Sequence, residues 1–497
     1  MSFLVILPFL LGFLFSLFVP VDFFFRVDWF LFGLEFRVDY ISKQFLLFTS
    51  FIWLISAVYA MVSIKENKKS YFFWFIFTYI GNLFLCISFD VISFYLFFSW
   101  MSLSSFALIL HNRSNEAKNA AFVYIKYAIF GEVLIFFGII NLVFTFGSFN
   151  FSNFINADIS YSHLLILIGF GIKIGMFLLH SWLPLAHSNA PASASAVLSA
   201  VMLKAGILGW FRFFNSSLEY GEFLPYCLMT LGILGIFISL YGLFQDKIKA
   251  VLAYSSISQM GFVVLMFGVA IYDTKNYDLI LIAILFFITH HAFNKAAIFL
   301  LANEISKNGL NKLNLFIFFI TSFSLIGLPF TSGAMAKDLL KSEVDLFFVL
   351  TALTIGSIIT SILMIRFYLL SKKYEIKNEN FNNSVLILPL IFVSVFLSYI
   401  LDFNFSFNIW QILPLFIATI FFIVIYKKGL DIKVLPQGDI LNLFSFKINN
   451  KQNLEIENKT KSFNLKFFKI IEVFLNEERY VFLVIVLILF VFLLLVY

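Results

Sequence analysis

Two lysines stand where lysine is costly. Lys173 lies in GFGIKIGMFLLH and Lys204 in SAVLSAVMLKAGILGWF, each with long apolar runs on both sides. An ammonium in hydrocarbon costs at least about 2.5–3.5 kcal/mol on insertion scales, so such a residue points to function by default. Between them runs HSWLPLAHSNAPASAS, broken by Pro184 and Pro191. Other ionisable groups inside apolar windows are few. Glu132 lies in IFGEVLIFFGII, His290, His291 and Lys295 in FFITHHAFNKAAIFL, and Lys337 beside Asp338 after a second interruption, SLIGLPFTSGAMAKDLL. The spacing of His291 and Lys295 puts them on one helix face. Lysine changes charge state readily when buried and histidine titrates near neutrality, so Glu, Lys and His strung through a membrane suit a proton relay. Each residue also has a bland reading. A buried Lys or Glu can be half of an inert ion pair, and Lys295 and Lys337 can snorkel from near a helix end. Arg212, Glu304 and Arg366, near span ends, are read as snorkelling. So many titratable groups at mid-helix depth are hard to assemble as unrelated accidents.

The elements that must position them are membrane helices. Of 497 residues 61% are hydrophobic and only 12% charged, with a mean hydropathy of +0.97. That composition excludes a soluble domain. The net charge of +6 reflects loop lysines rather than nucleic-acid binding. Cys86 and Cys227 lie in apolar segments with no metal-type spacing and no disulfide framework. The N-terminus, MSFLVILPFLLGFLFSLFVP, lacks a basic region and a small-residue cleavage site and is read as a retained first span. About fifteen apolar windows are long enough to cross a bilayer.

Loop charges alternate along the chain. Lys65, Lys68, Lys69, Arg113, Lys118, Lys247, Lys249, Lys307, Lys312, Lys372, Lys373, Lys377, Lys427 and Lys428 fall on one side, and mainly Asp90, Asp158, Glu219, Glu222 and Asp402 on the other, with scattered bases such as Arg26, Arg37, Lys275 and Lys341. The positive-inside rule then puts the N-terminus in the cytoplasm and the C-terminus outside, in a multi-pass protein of the cell (inner) membrane. Broken helices are tolerated in a bilayer only where protein or water re-satisfies the backbone. Two breaks in corresponding places, at residues 180–192 and at 327–333 around Pro329, suggest an internal repeat. The expected fold is therefore an all-α polytopic membrane protein of about 15 transmembrane helices with two inverted five-helix repeats, each containing a broken helix. Its parts are N-terminal helices over 1–69, repeats over 70–215 and 225–371, and C-terminal helices over 384–426. A cytoplasmic polar loop or interfacial helix over 427–478 and a final span over 479–497 complete it.

At these residues the chain resembles the antiporter-like membrane subunits shared by respiratory complex I, Mrp-type multisubunit cation/proton antiporters and membrane-bound hydrogenases. The string HSWLPLAHSNAPASASAVLSAVMLKAGILGWFRF carries most of the likeness, with AYSSISQMGF, HHAFNKAAIFL and GLPFTSGAMAK following in the family's order across about 85–435. The resemblance implies that Lys173 is the central lysine before the helix break and Lys204 the relay lysine of the next helix. His291 matches the histidine of the second half, and Lys337 the terminal lysine or glutamate. Gln259 and Lys337 are more like the D-type subunit of Mrp antiporters than like complex I. Two departures stand out. The family's glutamate, usual after Trp or Phe on the helix before the lysine helices, is Ser99 in YLFFSWMSLSSF, and Glu132 one helix later is the candidate substitute. One span rather than two precedes GLEFRVDYISKQF.

The resemblance implies a proton-translocating membrane component, similar to the D-type subunit of a multisubunit monovalent cation/proton antiporter, with Na+ as the candidate cation and other membrane subunits as partners. The alternative is the pumping subunit of a complex I-like NADH:quinone oxidoreductase or a membrane-bound hydrogenase (formate hydrogenlyase type). A structural subunit that has lost transport ranks below both. The sequence holds no constellation for covalent catalysis, no haem or iron–sulfur ligand cluster and no glycine-rich phosphate loop, so no cofactor, metal or nucleic acid is expected on this chain.

Overall fold

Inside a bilayer a backbone must satisfy its own hydrogen bonds, and this chain does so with helices. The computed structural model describes residues 2–154, 160–376, 383–400, 408–427 and 434–438. Helix α1 (Ser2–Phe18) leads into a short hairpin, β1 (Phe24–Val27) and β2 (Leu34–Arg37), paired antiparallel with Phe24 opposite Arg37. Then follow α2 (Tyr40–Ser63), α3 (Lys68–Ile87), α4 (Val91–Leu110), α5 (Asn115–Phe146) and α6 (Tyr161–Ile174). After the first break come α7 (Trp182–Asn189), α8 (Ala192–Val197) and α9 (Lys204–Phe213). The second half contains α10 (Phe223–Ile238), α11 (Ile248–Tyr272), α12 (Tyr277–Asn308), α13 (Lys312–Ile326), α14 (Ser332–Ser342) and α15 (Phe347–Ser371). Helices α16 (Leu388–Ile400) and α17 (Leu413–Lys427) close the described part.

Among the described residues ten helical segments are long and apolar enough to cross a membrane, joined by four shorter apolar helices. The hairpin is the one departure from an all-α chain among these residues, and it sits at the Asp39 end of α2, where Arg212 pairs with Asp39 at 2.5 Å. The polar segment expected over 427–478 and the span over 479–497 lie outside the described residues, apart from Lys427 and 434–438. Asp158 and Asp402 lie outside them too.

Burial sorts the helices by role. The segment Ala192–Phe213 and α11 are buried all round and α12 nearly so, whereas α17 is mostly uncovered. A helix that is apolar and buried on every side is a core helix, and these three carry Lys204, Gln259, His290, His291 and Lys295.

The breaks do not begin at the prolines. Helix α6 stops at Gly175, whose φ of +79° is open to glycine at no Cβ cost, and its N–H returns to Gly171 O at 3.1 Å. Pro184 falls in the first turn of α7, where a missing N–H matters little, and Pro191 caps α8. The second break repeats the geometry. Gly327 has φ +88°, Leu328 N–H bonds Phe323 O at 3.0 Å as Met176 N–H bonds Gly171 O at 3.0 Å, and Phe330 and Leu178 both take positive φ. A third irregularity follows α8, where Leu198–Met202 forms a π-helical turn that leads into Lys204.

Helices α5 and α6 approach through glycine. A Cβ added at Gly169 would stand 2.5 Å from Ile135 Cγ1 and 2.8 Å from the Gly131 carbonyl oxygen. That contact brings Glu132, next to Gly131, toward Lys173, one turn beyond Gly169. Replacing Gly169 with Ala should therefore destabilise the detergent-solubilised protein by about 1–3 kcal/mol through overpacking, read as a lower melting point. The same change at Gly235, where the nearest atom to an added Cβ is 3.6 Å away, should leave it unlowered. Equal melting points for the two variants would contradict this packing.

Candidate functional site

Helices α4, α5 and α6 build the first centre. Lys173 Nζ donates to Tyr124 OH at 2.9 Å and to Ser102 Oγ at 3.2 Å, and lies 5.3 Å from the Tyr124 ring centre. Only 5% of Lys173 and 6% of Glu132 is exposed. Lys173 and Glu132 line one small cavity with Phe98, Ser102, Tyr124 and Trp182, large enough for about one water. Glu132 Oε2 accepts a hydrogen bond from Ser99 on α4, while Oε1 is buried without a protein partner. Lys173 and Ser102 are within electrostatic reach of this carboxylate. The ammonium is thus held by two hydroxyls, with the carboxylate nearby and engaged elsewhere.

The second centre gathers around α12. Lys204 Nζ donates to Ser199 O at 2.6 Å, a carbonyl of the π-helical turn, and meets His291 Nδ1 at 2.7 Å. With Lys204 as an ammonium, Nδ1 accepts and the imidazole proton sits on Nε2, which is buried and unpartnered by protein. Lys295 Nζ donates to Leu252 O at 3.0 Å and to Ser255 Oγ. Both His291 and Lys204 lie within electrostatic reach of Lys295. His290 Nδ1 contacts Ser332 Oγ at 2.9 Å and accepts from Asn294 Nδ2 at 3.1 Å, and it is within reach of both Lys204 and Lys337. Lys337 Nζ donates to Leu325 O at 3.0 Å and Ile326 O at 2.6 Å, the carbonyls exposed where α13 ends.

The structure therefore brings Lys204, His290, His291, Lys295 and Lys337 into one electrostatic neighbourhood and sets Lys173 with Glu132 in another. Among the described residues no hydrogen bond or ion pair joins Lys173 to Lys204. Snorkelling is corrected at three positions. Lys295 is fully buried in the body of α12, Lys337 turns inward to the broken end of α13, and Glu304 is fully buried with Tyr59 OH donating to it at 2.5 Å. Arg212, also near a span end, is spent on Asp39. Sequence reasoning passes over Ser102, Tyr124, Ser199, Ser255 and Ser332, because hydroxyls and carbonyls carry no pattern of their own. It also passes over His187 inside the diagnostic string. That histidine is fully buried against Phe299, its ring nitrogens have no protein partner, and it feels Lys295, Lys249 and Lys204.

Residues 88–364 match the family described as NADH:quinone oxidoreductase/Mrp antiporter, TM. The M-type subunit of the NADH-quinone oxidoreductase of Rickettsia prowazekii is 30% identical over 68% of this chain and 72% of its own length. The D-type subunit of a Na(+)/H(+) antiporter from Alkalihalophilus pseudofirmus is 23% identical over 72% of this chain and 78% of its own. In solved structures the fold recurs in the Mrp complex of a Dietzia species, at a TM-score of 0.69 and 17% identity over 81% of this chain and 89% of that one. With more than half of its length under the family's profile, the chain belongs to the NADH:quinone oxidoreductase/Mrp antiporter transmembrane family, as a multi-pass antiporter-like membrane subunit.

Proposed function

We propose that this chain translocates protons in the cell (inner) membrane, as a component similar to the D-type subunit of a multisubunit Na+/proton antiporter. The observation that carries the reading is the buried contact between Lys204 and His291, flanked by Lys295 and within reach of His290 and Lys337. In a medium of low polarity a proton on one of these groups opposes a proton on its neighbour, so arrival of one drives departure of the next. That is what a relay requires and what an inert scaffold does not. Lys173 is the loading residue of the first half, and Lys204, His290, His291 and Lys295 carry the proton across to Lys337. The matching backbone at Gly175 and Gly327 supports two inverted repeats, each offering its broken helix at Pro184 and Pro191 or at Pro329 to a half-channel. The termini take the orientation of the loop charges, N-terminus inside.

The second reading is the pumping subunit of a redox complex, since an oxidoreductase subunit at 30% identity stands among the relatives beside antiporter subunits at 23% and 31%. The two readings separate in inverted vesicles holding the native complex. Under an imposed proton gradient, a pulse of Na+ should collapse the gradient, read by a fluorescent amine. A gradient insensitive to Na+ but built by NADH or by formate would favour the redox-driven complex instead, and a vesicle inert to all three would favour the structural subunit.

Within the relay, Lys204→Met keeps the length of the side chain and removes its charge. The complex should still assemble, with proton flux lowered about tenfold or more, as for loss of an intramembrane ionisable group. Flux at the wild-type rate from an assembled Lys204→Met complex would remove Lys204 from the path. His291→Gln should also lower flux, by about a hundredfold, because the Ser199 carbonyl still holds Lys204 while its proton acceptor is lost.

A further inference from the structure

The Lys173 side-chain nitrogen has no carboxylate in direct contact. It is buried and held by two neutral hydroxyls, and the opposite charge nearest to hand is in the same cavity. Taking a charge out of water is repaid only by a partner of opposite sign or by hydrogen bonds, and removing such a partner strands the remaining charge. Lys173 and Glu132 are the two ionisable groups of that cavity apart from the phenols of Tyr124 and Tyr127. The Glu132 carboxylate comes from α5, yet it is bound by Ser99 of α4, so its head group occupies space beside α4. Ser102 lies one turn further along α4, within reach of the carboxylate, and already accepts from Lys173. Two serines one turn apart thus lead from the carboxylate to the ammonium on a single helix face. The unpartnered Oε1 of Glu132 is the atom able to turn toward Ser102 without breaking the Ser99 bond.

We propose that Glu132 is the carboxylate that switches Lys173, presented from α5 but seated on α4 by Ser99 and coupled to the ammonium through Ser102. This rests on the proton-translocating reading above. With the carboxylate turned toward Ser102, the ammonium of Lys173 is held. With Oε1 turned away from Ser102, and Oε2 still on Ser99, the ammonium releases its proton to water in the cavity, leaving a neutral amine and a hydrated proton that moves on. Because the head group sits beside Ser99, the helix that carries the carboxylate is interchangeable, whereas its place is not.

The test uses the intact complex in vesicles and reads ion-driven proton flux together with subunit co-purification. Glu132→Gln keeps the shape and should lower flux about tenfold or more. Moving the acid, as Ser99→Glu with Glu132→Gln in one chain, should return at least about a third of the wild-type flux. Wild-type flux in assembled Glu132→Gln overturns the proposal. So does an assembled double variant no faster than the single one. Should Glu132→Gln fail to assemble, the double variant decides alone: flux supports the relocated acid, and its absence from an assembled complex refutes it. Failure of the transport reading shows differently, as absence of flux from the wild-type complex.

Discussion

A buried ammonium that lacks an adjacent carboxylate must be held by dipoles, and this requirement shapes the middle of the molecule. Lys204 takes the Ser199 carbonyl from a π-helical turn, and Lys337 takes the Leu325 and Ile326 carbonyls from the end of α13. In a regular helix those carbonyls would be committed to an N–H one turn on. The irregularities free them, and a helix C-terminus adds its partial negative charge. The breaks are therefore part of the lysine sites rather than separate kinks. Lys295 is held differently, by a carbonyl and a hydroxyl of α11, which makes the packing of α11 against α12 part of its site.

The two halves use this device unequally. Around Lys173 the holders are side-chain hydroxyls, and a carboxylate shares the cavity. Around Lys337 the holders are backbone, and the neighbouring carboxylate of Asp338 accepts from Gln411 at 2.6 Å. Both halves thus place a carboxylate within electrostatic reach of the lysine, bound in the first by a serine hydroxyl and in the second by a glutamine amide.

Much of this is legible in the chain, because membrane burial makes an ionisable residue conspicuous. The lysines, Glu132 and the paired histidines stand out from apolar surroundings, and the two interruptions stand out through proline and glycine. What sequence does not carry is direction. Glu304 near a span end is indistinguishable in sequence from a snorkelling acid, yet it turns inward to Tyr59. Sequence points to Pro184 as the break, but a proline in a first turn is harmless and the stop lies at Gly175. The serine holders are invisible for a further reason. Serine within a membrane helix usually bonds its own preceding turn, as Ser105 does with Ser102 O and Ser255 with Leu252 O, and nothing local marks Ser102 or Ser255 as also accepting from a lysine.

The division between the two centres also follows from helix packing. Helices α6 and α9 carry Lys173 and Lys204 and lie against each other, so closely that a Cβ at Gly206 would stand 2.7 Å from the Phe170 carbonyl oxygen. Yet Lys173 reaches toward α4 and α5 while Lys204 reaches toward α12, so the two side chains leave this contact in different directions. Trp182 borders the same region, lining the Lys173 cavity and tying its indole N–H to Ile172 O at 3.0 Å. Nearness of backbone therefore does not give nearness of charge. An apolar helix contact separates the two centres, whereas the groups of the second centre are already in mutual electrostatic reach.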